Sequence, residues 1–273
     1  MIRSIKTIMR QDREPYRIPR RVQDVIPIQC VWPDGIFKVG IKFSKTYRFT
    51  DINYKVASRN DKETMFLAYS ELLNSLDCAA TTKLTICNRR QSQADFEQSV
   101  LMPMREDGLD KYRREYNQML MDKATGANGI TQEKYVTITV YKRDIEDARA
   151  YFTRIGADLT ARGSKCVELD ATDRLRILHD FYRAGDEGNF HFDMADMARK
   201  GHDFRDYICP DGIEKHSDYL KLGDRYCRVL FLKDYANYIQ DEIVTNLTDL
   251  DRNMMLSIDI LNVPTDEAGG EGG

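Results

Sequence analysis

No Gly-Lys pair occurs anywhere in the 273 residues. A P-loop needs that pair at the end of a Gly-rich turn whose backbone N–H groups cradle phosphates, so this stretch of chain holds no nucleotide-hydrolysing loop of that kind. A dinucleotide fingerprint is missing as well, because Gly269, Gly270, Gly272 and Gly273 crowd the C-terminal tail and not a strand–helix turn. No two cysteines form a CxxC pair, and no spacing matches HExxH or a 2-His-1-carboxylate set. There is no GxSxG turn to present a nucleophile. No run approaches the roughly 20 apolar residues that cross a bilayer. Residues 1–30 are charged and lack the apolar segment of a secretory signal. With a net charge of −3, the chain as a whole does not attract nucleic acid, and any basic surface is local.

What is present describes a globular body. Hydrophobic residues make up 42% and charged residues 31%, a balance that can bury a core. Cys30, Cys78, Cys87, Cys166, Cys209 and Cys227 mostly sit inside apolar runs and read as small structural thiols of a reducing compartment. The expected location is cytoplasmic, or at a membrane only through partners. Arg3, Lys6, Arg10, Arg13, Arg17, Arg20 and Arg21 face only Asp12 and Glu14 within residues 1–21. That segment reads as a basic arm able to meet lipid headgroups, acidic protein or phosphates, or as a plain flexible tail.

The stretch from Asp34 to Tyr54 organises the rest. Phe37, Val39, Ile41 and Phe43 alternate with polar residues, then Tyr47 and Phe49 do the same, which predicts an antiparallel pair with one dry face. Asp34-Gly35 and Asp51-Ile52-Asn53 supply turn chemistry at either end. Residues 25–33 lead in, with Trp32 at the domain edge. A helix over 61–76 follows, capped at Asn60, with Met65, Phe66, Tyr69, Leu72, Leu73 and Leu76 as its stripe. Lys83–Cys87 reads as a strand. Leu109–Met121 reads as a helix striped by Tyr112, Tyr116, Met119 and Leu120, broken by Gly126, Asn128 and Gly129. Tyr135–Tyr141 is the clearest strand. Asp144 caps a helix carrying Ile145, Ala148, Phe152, Ile155 and Leu159, ended by Gly163. A short strand, Cys166–Leu169, precedes a helix bearing Leu175, Leu178 and Tyr182.

This order predicts an α+β fold, a mixed or mainly antiparallel sheet with helices packed on one face and ferredoxin-like elements. The expected domains are a basic arm and lead-in (1–33), the main α+β domain (34–200), a partial second β-α-β unit (201–264) and a linker or appended tail (265–273). In the second unit, Tyr226–Leu232 and Met254–Val263 are strands, with Ile239, Ile243, Val244, Leu247 and Leu250 on the helix between them. A lone β-α-β makes a poor core.

Candidate chemistry is sparse. All histidines fall late, at His179, His191, His202 and His216. His191, Asp193 and His202 are the likeliest members of any metal site, against ordinary loop histidines. Tyr112, Arg113, Arg114, Tyr116, Tyr182 and Arg183 interleave rings and cations as single-strand binders do, although helix periodicity alone yields much of that pattern. No catalytic, cofactor or metal set stands out, and the chain is not expected to be an enzyme.

Several stretches resemble one family: VQDVIPI at 22–28, DGIF at 34–37, YRFTDINY at 47–54, KYVTITV at 134–140, RLRILHDFYR at 174–183 and YCRVLFLKDY at 226–235. They are similar to the N-terminal region of VirB-type (CagE/TrbE) ATPases of type IV secretion systems, in the form carried by conjugative elements of Gram-positive bacteria. The resemblance implies a docking and assembly domain that binds inner-membrane channel components at the cytoplasmic membrane face. It implies that ATP and Mg belong only to a C-terminal motor of the same parent chain, absent here. Self-association and, less strongly, nucleic-acid binding in a DNA-transfer machine are the other partners it suggests.

Overall fold

The computed structural model describes residues 19–50, 58–75, 80–90, 101–126, 130–161, 166–234, 238, 240–250 and 252–262. The fold is built on a tight hairpin of Phe37–Val39 (β2) and Lys42–Phe49 (β3), with Phe37 opposite Ser44 and Val39 opposite Lys42. The turn is Gly40-Ile41, and Gly40 has φ 58°, which a glycine adopts without strain in two-residue turns. The alternation had suggested one strand through Ile41 to Phe43. Instead Ile41 stands at the hairpin tip, 70% exposed. The turn Asp51-Ile52-Asn53 lies outside the described residues.

Five more strands complete this sheet: Cys30–Val31 (β1), Thr81–Arg90 (β4), Ile130–Tyr141 (β5), Cys166–Glu168 (β6) and Met254–Leu261 (β10). Its order is β1-β2-β3-β5-β4-β10, and β6 also pairs with β3. Every pairing is antiparallel. The order β6-β3-β5-β4, with Arg59–Ser75 (α1) and Ile145–Ala161 (α3) as crossovers, is the split β-α-β arrangement expected of a ferredoxin-like element.

Strand alternation sends Phe43, Tyr47, Ile138 and Val140 to one side. There α3 lays Ala148, Phe152, Ile155 and Leu159 on them, all at most 3% exposed. The Tyr47 hydroxyl donates to the Phe152 carbonyl (3.1 Å). Trp32 packs at the margin of this core, its ring 5.9 Å from Phe43. Gly156 sits where a side chain would strike the Glu168 carboxylate. A mid-helix glycine otherwise costs about 1 kcal/mol relative to Ala. Asp144 caps α3 by accepting from the Asp147 amide (2.9 Å); Gly163 lies outside the described residues.

Phe37, Ser44, Thr46 and Tyr135 point the other way, and Ala171–Tyr182 (α4) covers that side. The α+β class holds, but the helices occupy both faces and not one. The cause is legible in Ile36 and Phe37, neighbours where the chain enters β2: each is at most 3% exposed, and they belong to different cores, so each needs its own cover. Ile26, Ile28, Phe37, Leu175, Phe190, Phe204, Ile208 and Cys209 form the second core.

That second core redraws the domains. Ile26 and Ile28 come from the lead-in, and Phe204, Ile208 and Cys209 come from beyond residue 200. Nor is 201–264 a separate β-α-β unit. Residues Ile213–Lys215 (β7), Leu220–Leu222 (β8) and Arg225–Cys227 (β9) form a small meander. β10 instead joins the main sheet, pairing with β4 from Met254↔Asn88 to Leu261↔Thr81.

Two helices differ from the pattern in what they bury. Ser58, not Asn60, caps α1, accepting from the Asp61 amide (3.3 Å). Phe66 and Tyr69 of its stripe are 64% and 47% exposed; Leu76 lies outside the described residues. On Asp110–Gly126 (α2), Tyr112, Tyr116 and Met119 are exposed. Asn117 is buried instead, exchanging hydrogen bonds with the Met102 backbone (2.9 Å each). Asn128 and Gly129 lie outside the described residues.

One side chain joins α4 to the hairpin. The buried Arg174 guanidinium donates to the Gly35 and Ser44 carbonyls (2.7 Å each) and to Ser44 Oγ (3.1 Å). It lies 3.9 Å from the centre of the Phe37 ring. Arg174→Ala leaves those carbonyls without their donor and opens a void. The expected stability loss is about 3 kcal/mol, read as a lowered urea midpoint. Arg174→Lys is expected to recover only part of it, because an ammonium lacks the planar fork.

Candidate functional site

The most unusual surface begins where the small meander ends. His216 stacks on Tyr219 (4.3 Å between centroids), and Tyr226 packs edgewise on Tyr219 (5.6 Å). The meander closes through the Gly223 amide on the Gly212 carbonyl (2.8 Å). Arg228 Nε donates to the Asp218 carbonyl (3.2 Å), and its guanidinium lies 3.6 Å from the Asp218 carboxylate. The chain then runs into Val229, Leu230, Phe231 and Leu232, which are 78%, 84%, 86% and 71% exposed. The sequence pattern predicts a strand here, but strand structure stops at Cys227.

Further along the chain more apolar side chains are exposed. Helix Asp241–Thr248 (α6) exposes Ile243 and Leu247, with Leu250 just past its end; Ile239 lies outside the described residues. The α6 C-terminus is fixed by Asn88, whose Nδ2 donates to the carbonyls of Thr248 (2.7 Å) and Leu250 (3.1 Å). Exposed apolar runs such as Val229–Leu232 mark interaction sites when they form a patch.

A cleft of about 270 Å³ lies between the α4 face of the sheet and α4 itself. Several of its polar groups are paired with one another. Arg89 donates to Asp180 (2.8 Å), Tyr135 donates to Glu133 (2.7 Å), and Arg48 lies 3.7 Å from Glu133. Ile177, Phe181, Met254 and Met255 make its apolar wall. Burial, reinforced by Glu133, pushes the Cys87 thiol up to about 12. At neutral pH it is therefore protonated and a poor nucleophile.

The residues singled out in the sequence do not converge. Arg3, Lys6, Arg10, Arg13 and Arg17 lie outside the described residues. Arg20 and Arg21 are exposed, and their backbone amides donate to Asp24 (3.2 and 3.1 Å). Asp193 caps helix Met194–Lys200 (α5), accepting from the amides of Ala195 (2.7 Å) and Asp196 (3.0 Å). His202 lies 3.8 Å from Asp206 and His191 is exposed. Among the described residues no cluster of three or more His, Cys, Asp or Glu could hold a metal ion. In the Tyr/Arg set, Arg113 is paired with Asp107 and with Asp110 (2.6 Å). Arg183 is committed to the Cys209 carbonyl (2.7 Å), Asp186 and Asp211. Tyr112 and Tyr116 are exposed without those cations beside them as free groups.

No family model matches the chain, and no curated protein matches it.

Thiol reactivity gives a direct check of how deeply these cysteines lie. Cys30 is exposed, whereas burial raises both Cys87 and Cys209, the latter to about 11. Iodoacetamide at pH 8 is expected to alkylate Cys30 at least ten-fold faster than Cys87 or Cys209, scored by peptide mass spectrometry. Cys209 should begin to react as the pH approaches 11.

Proposed function

We propose that this chain is a non-catalytic docking and assembly domain of a conjugative type IV secretion ATPase of the VirB (CagE/TrbE) type. It binds inner-membrane channel components at the cytoplasmic face of the membrane, and ATP and Mg are handled by a C-terminal motor domain of the same parent chain. No helix among the described residues is long and apolar enough to cross a membrane; in this reading, membrane location comes through partners.

The reading is supported by where the family-like stretches fall. Residues 22–28, 34–37, 134–140 and 174–183 supply Ile26, Ile28, Ile36, Phe37, Ile138, Val140, Arg174 and Leu175 to the two cores and their tie. Packing alone accounts for apolar residues there. The stretch 226–235 is different, because Val229 to Leu232 are exposed. That exposure carries the proposal: a four-residue apolar run at the surface has a function in binding or is a liability.

Nucleic-acid binding has less support, since Arg113 and Arg183 are already ion-paired. The test is co-purification with the inner-membrane proteins encoded beside this chain. Capture is expected for the unaltered chain and at least a ten-fold loss for Leu230→Asp or Phe231→Asp, with the folded circular-dichroism spectrum retained. Calorimetry with ATP and Mg is expected to show no stoichiometric binding; tight one-to-one binding would overturn the proposal.

A further inference from the structure

Two elements each have an unmatched side. β10 ends the sheet and pairs only with β4 among the described residues. Its outer edge therefore presents a row of N–H and C=O groups without a ladder partner in that set. Natural edges are usually blunted by charge, proline or bulges. The run MMLSIDIL has no proline and one charged residue, Asp259, which lies 3.6 Å from Lys83 of β4. The second element is the run from Val229 to Leu232, outside both sheets and exposed along its whole length.

The chain between them has the length and the hand of a crossover. Residues 234–253 include α6, and a parallel crossover needs a dozen or more residues, usually with a helix. Asn88 shares its side of β4 with Leu84 and Ile86, and these alternate onto the face that α3 covers. Because Asn88 holds the α6 C-terminus (2.7 Å to Thr248 O), α6 lies on the α3 side of the sheet.

The hand follows from a connection already present. β5 and β6 are both antiparallel to β3, so β5-α3-β6 is a parallel crossover with its helix on this face. β10 is antiparallel to β4, as β5 is, so β10 runs parallel to β5. A strand outside β10 and parallel to it would cross inward in the same direction, with its helix on the same face. It would therefore repeat the hand of β5-α3-β6, the hand that nearly all such units share.

We infer that Val229–Leu232 docks as a further strand, parallel to β10 on its open edge, to form a closed β-α-β unit. The backbone groups of β10 gain a ladder and alternate apolar side chains gain cover from the sheet. The chain then has two states: an open one in which the run is available to a partner, and a closed one in which it completes its own sheet. A partner that binds the run competes with β10 for it. This rests on the apolar run named above as the docking surface, but on no feature of the secretion reading.

Hydrogen–deuterium exchange on the full chain, read by peptide mass spectrometry at two concentrations with light scattering in parallel, tests it. Expected is slowed exchange in 229–232 and in β10 in the monomer. In Phe231→Pro, which cannot donate to a ladder, or in Leu230→Asp, exchange in 229–232 and β10 should rise at least ten-fold while β5 is unchanged. Exchange of 229–232 at the rate of unstructured chain, with β10 insensitive to both variants, would overturn it. Protection confined to a dimer fraction would also overturn it, by making a second copy the occupant. Either result leaves partner capture to be judged on its own readout.

Discussion

A buried guanidinium holds the two halves of this protein together. Arg174 enters from α4, lies over the Phe37 ring and meets the carbonyls of Gly35, just before β2, and of Ser44, opposite Phe37 on β3. Burial pulls its pKa down to about 9, so it remains charged at neutral pH. A buried charge is tolerated only where hydrogen bonds replace its hydration, and here neutral oxygens do that work without a carboxylate among the bonds just named. The arrangement fixes α4 against the sheet, and with it the whole second core that follows: Leu175, Phe190, Phe204 and Ile208. Gly35 belongs to the same joint. It has φ 76°, and a side chain there would collide with the Leu169 carbonyl, where the chain turns into α4.

With a helix on either side, the sheet becomes a spacer between two unlike environments. The α3 side is apolar under α3, where Tyr47 donates to Phe152 and Lys45 meets Glu168 at 2.6 Å, and polar again at the Asn88 contact with α6. The α4 side is wetter, with the Arg89–Asp180 and Tyr135–Glu133 pairs lining a cleft. Among the described residues, the exposed apolar run from Val229 to Leu232 belongs to neither sheet.

Much of this fold is legible in the residues, and the failures have physical causes. Ile145, Ala148, Phe152, Ile155 and Leu159 repeat at helical spacing and all face the core, as Tyr135–Tyr141 does at strand spacing. Local pattern decides such elements. The hairpin tip was misplaced because alternation carries on through Gly40-Ile41, and only the backbone of Gly40 shows where the chain reverses. The domain boundary failed because the joining of β10 to β4 is a pairing across more than a hundred and fifty residues, invisible to any window. Arg174 carries a local signal: it sits on the same helical stripe as Leu175 and Leu178, where a cation has no place unless something receives it. The candidate site was only half readable. The apolar run at 229–232 is plain in the sequence, but composition predicts its burial, and exposure is a property of the fold.

The two ends of the sheet are unequal. Along one edge of β3, the strands β2 and β6 share the available length, pairing with Lys42–Ser44 and Tyr47–Phe49. Two short pieces from distant parts of the chain thus plug that flank, and among the described residues only the two-residue β1 lies beyond β2. Growth by strand addition needs a receptive flank at both ends to propagate into a filament. A body with a single receptive flank accepts one guest and then terminates, so any assembly made this way is finite by construction.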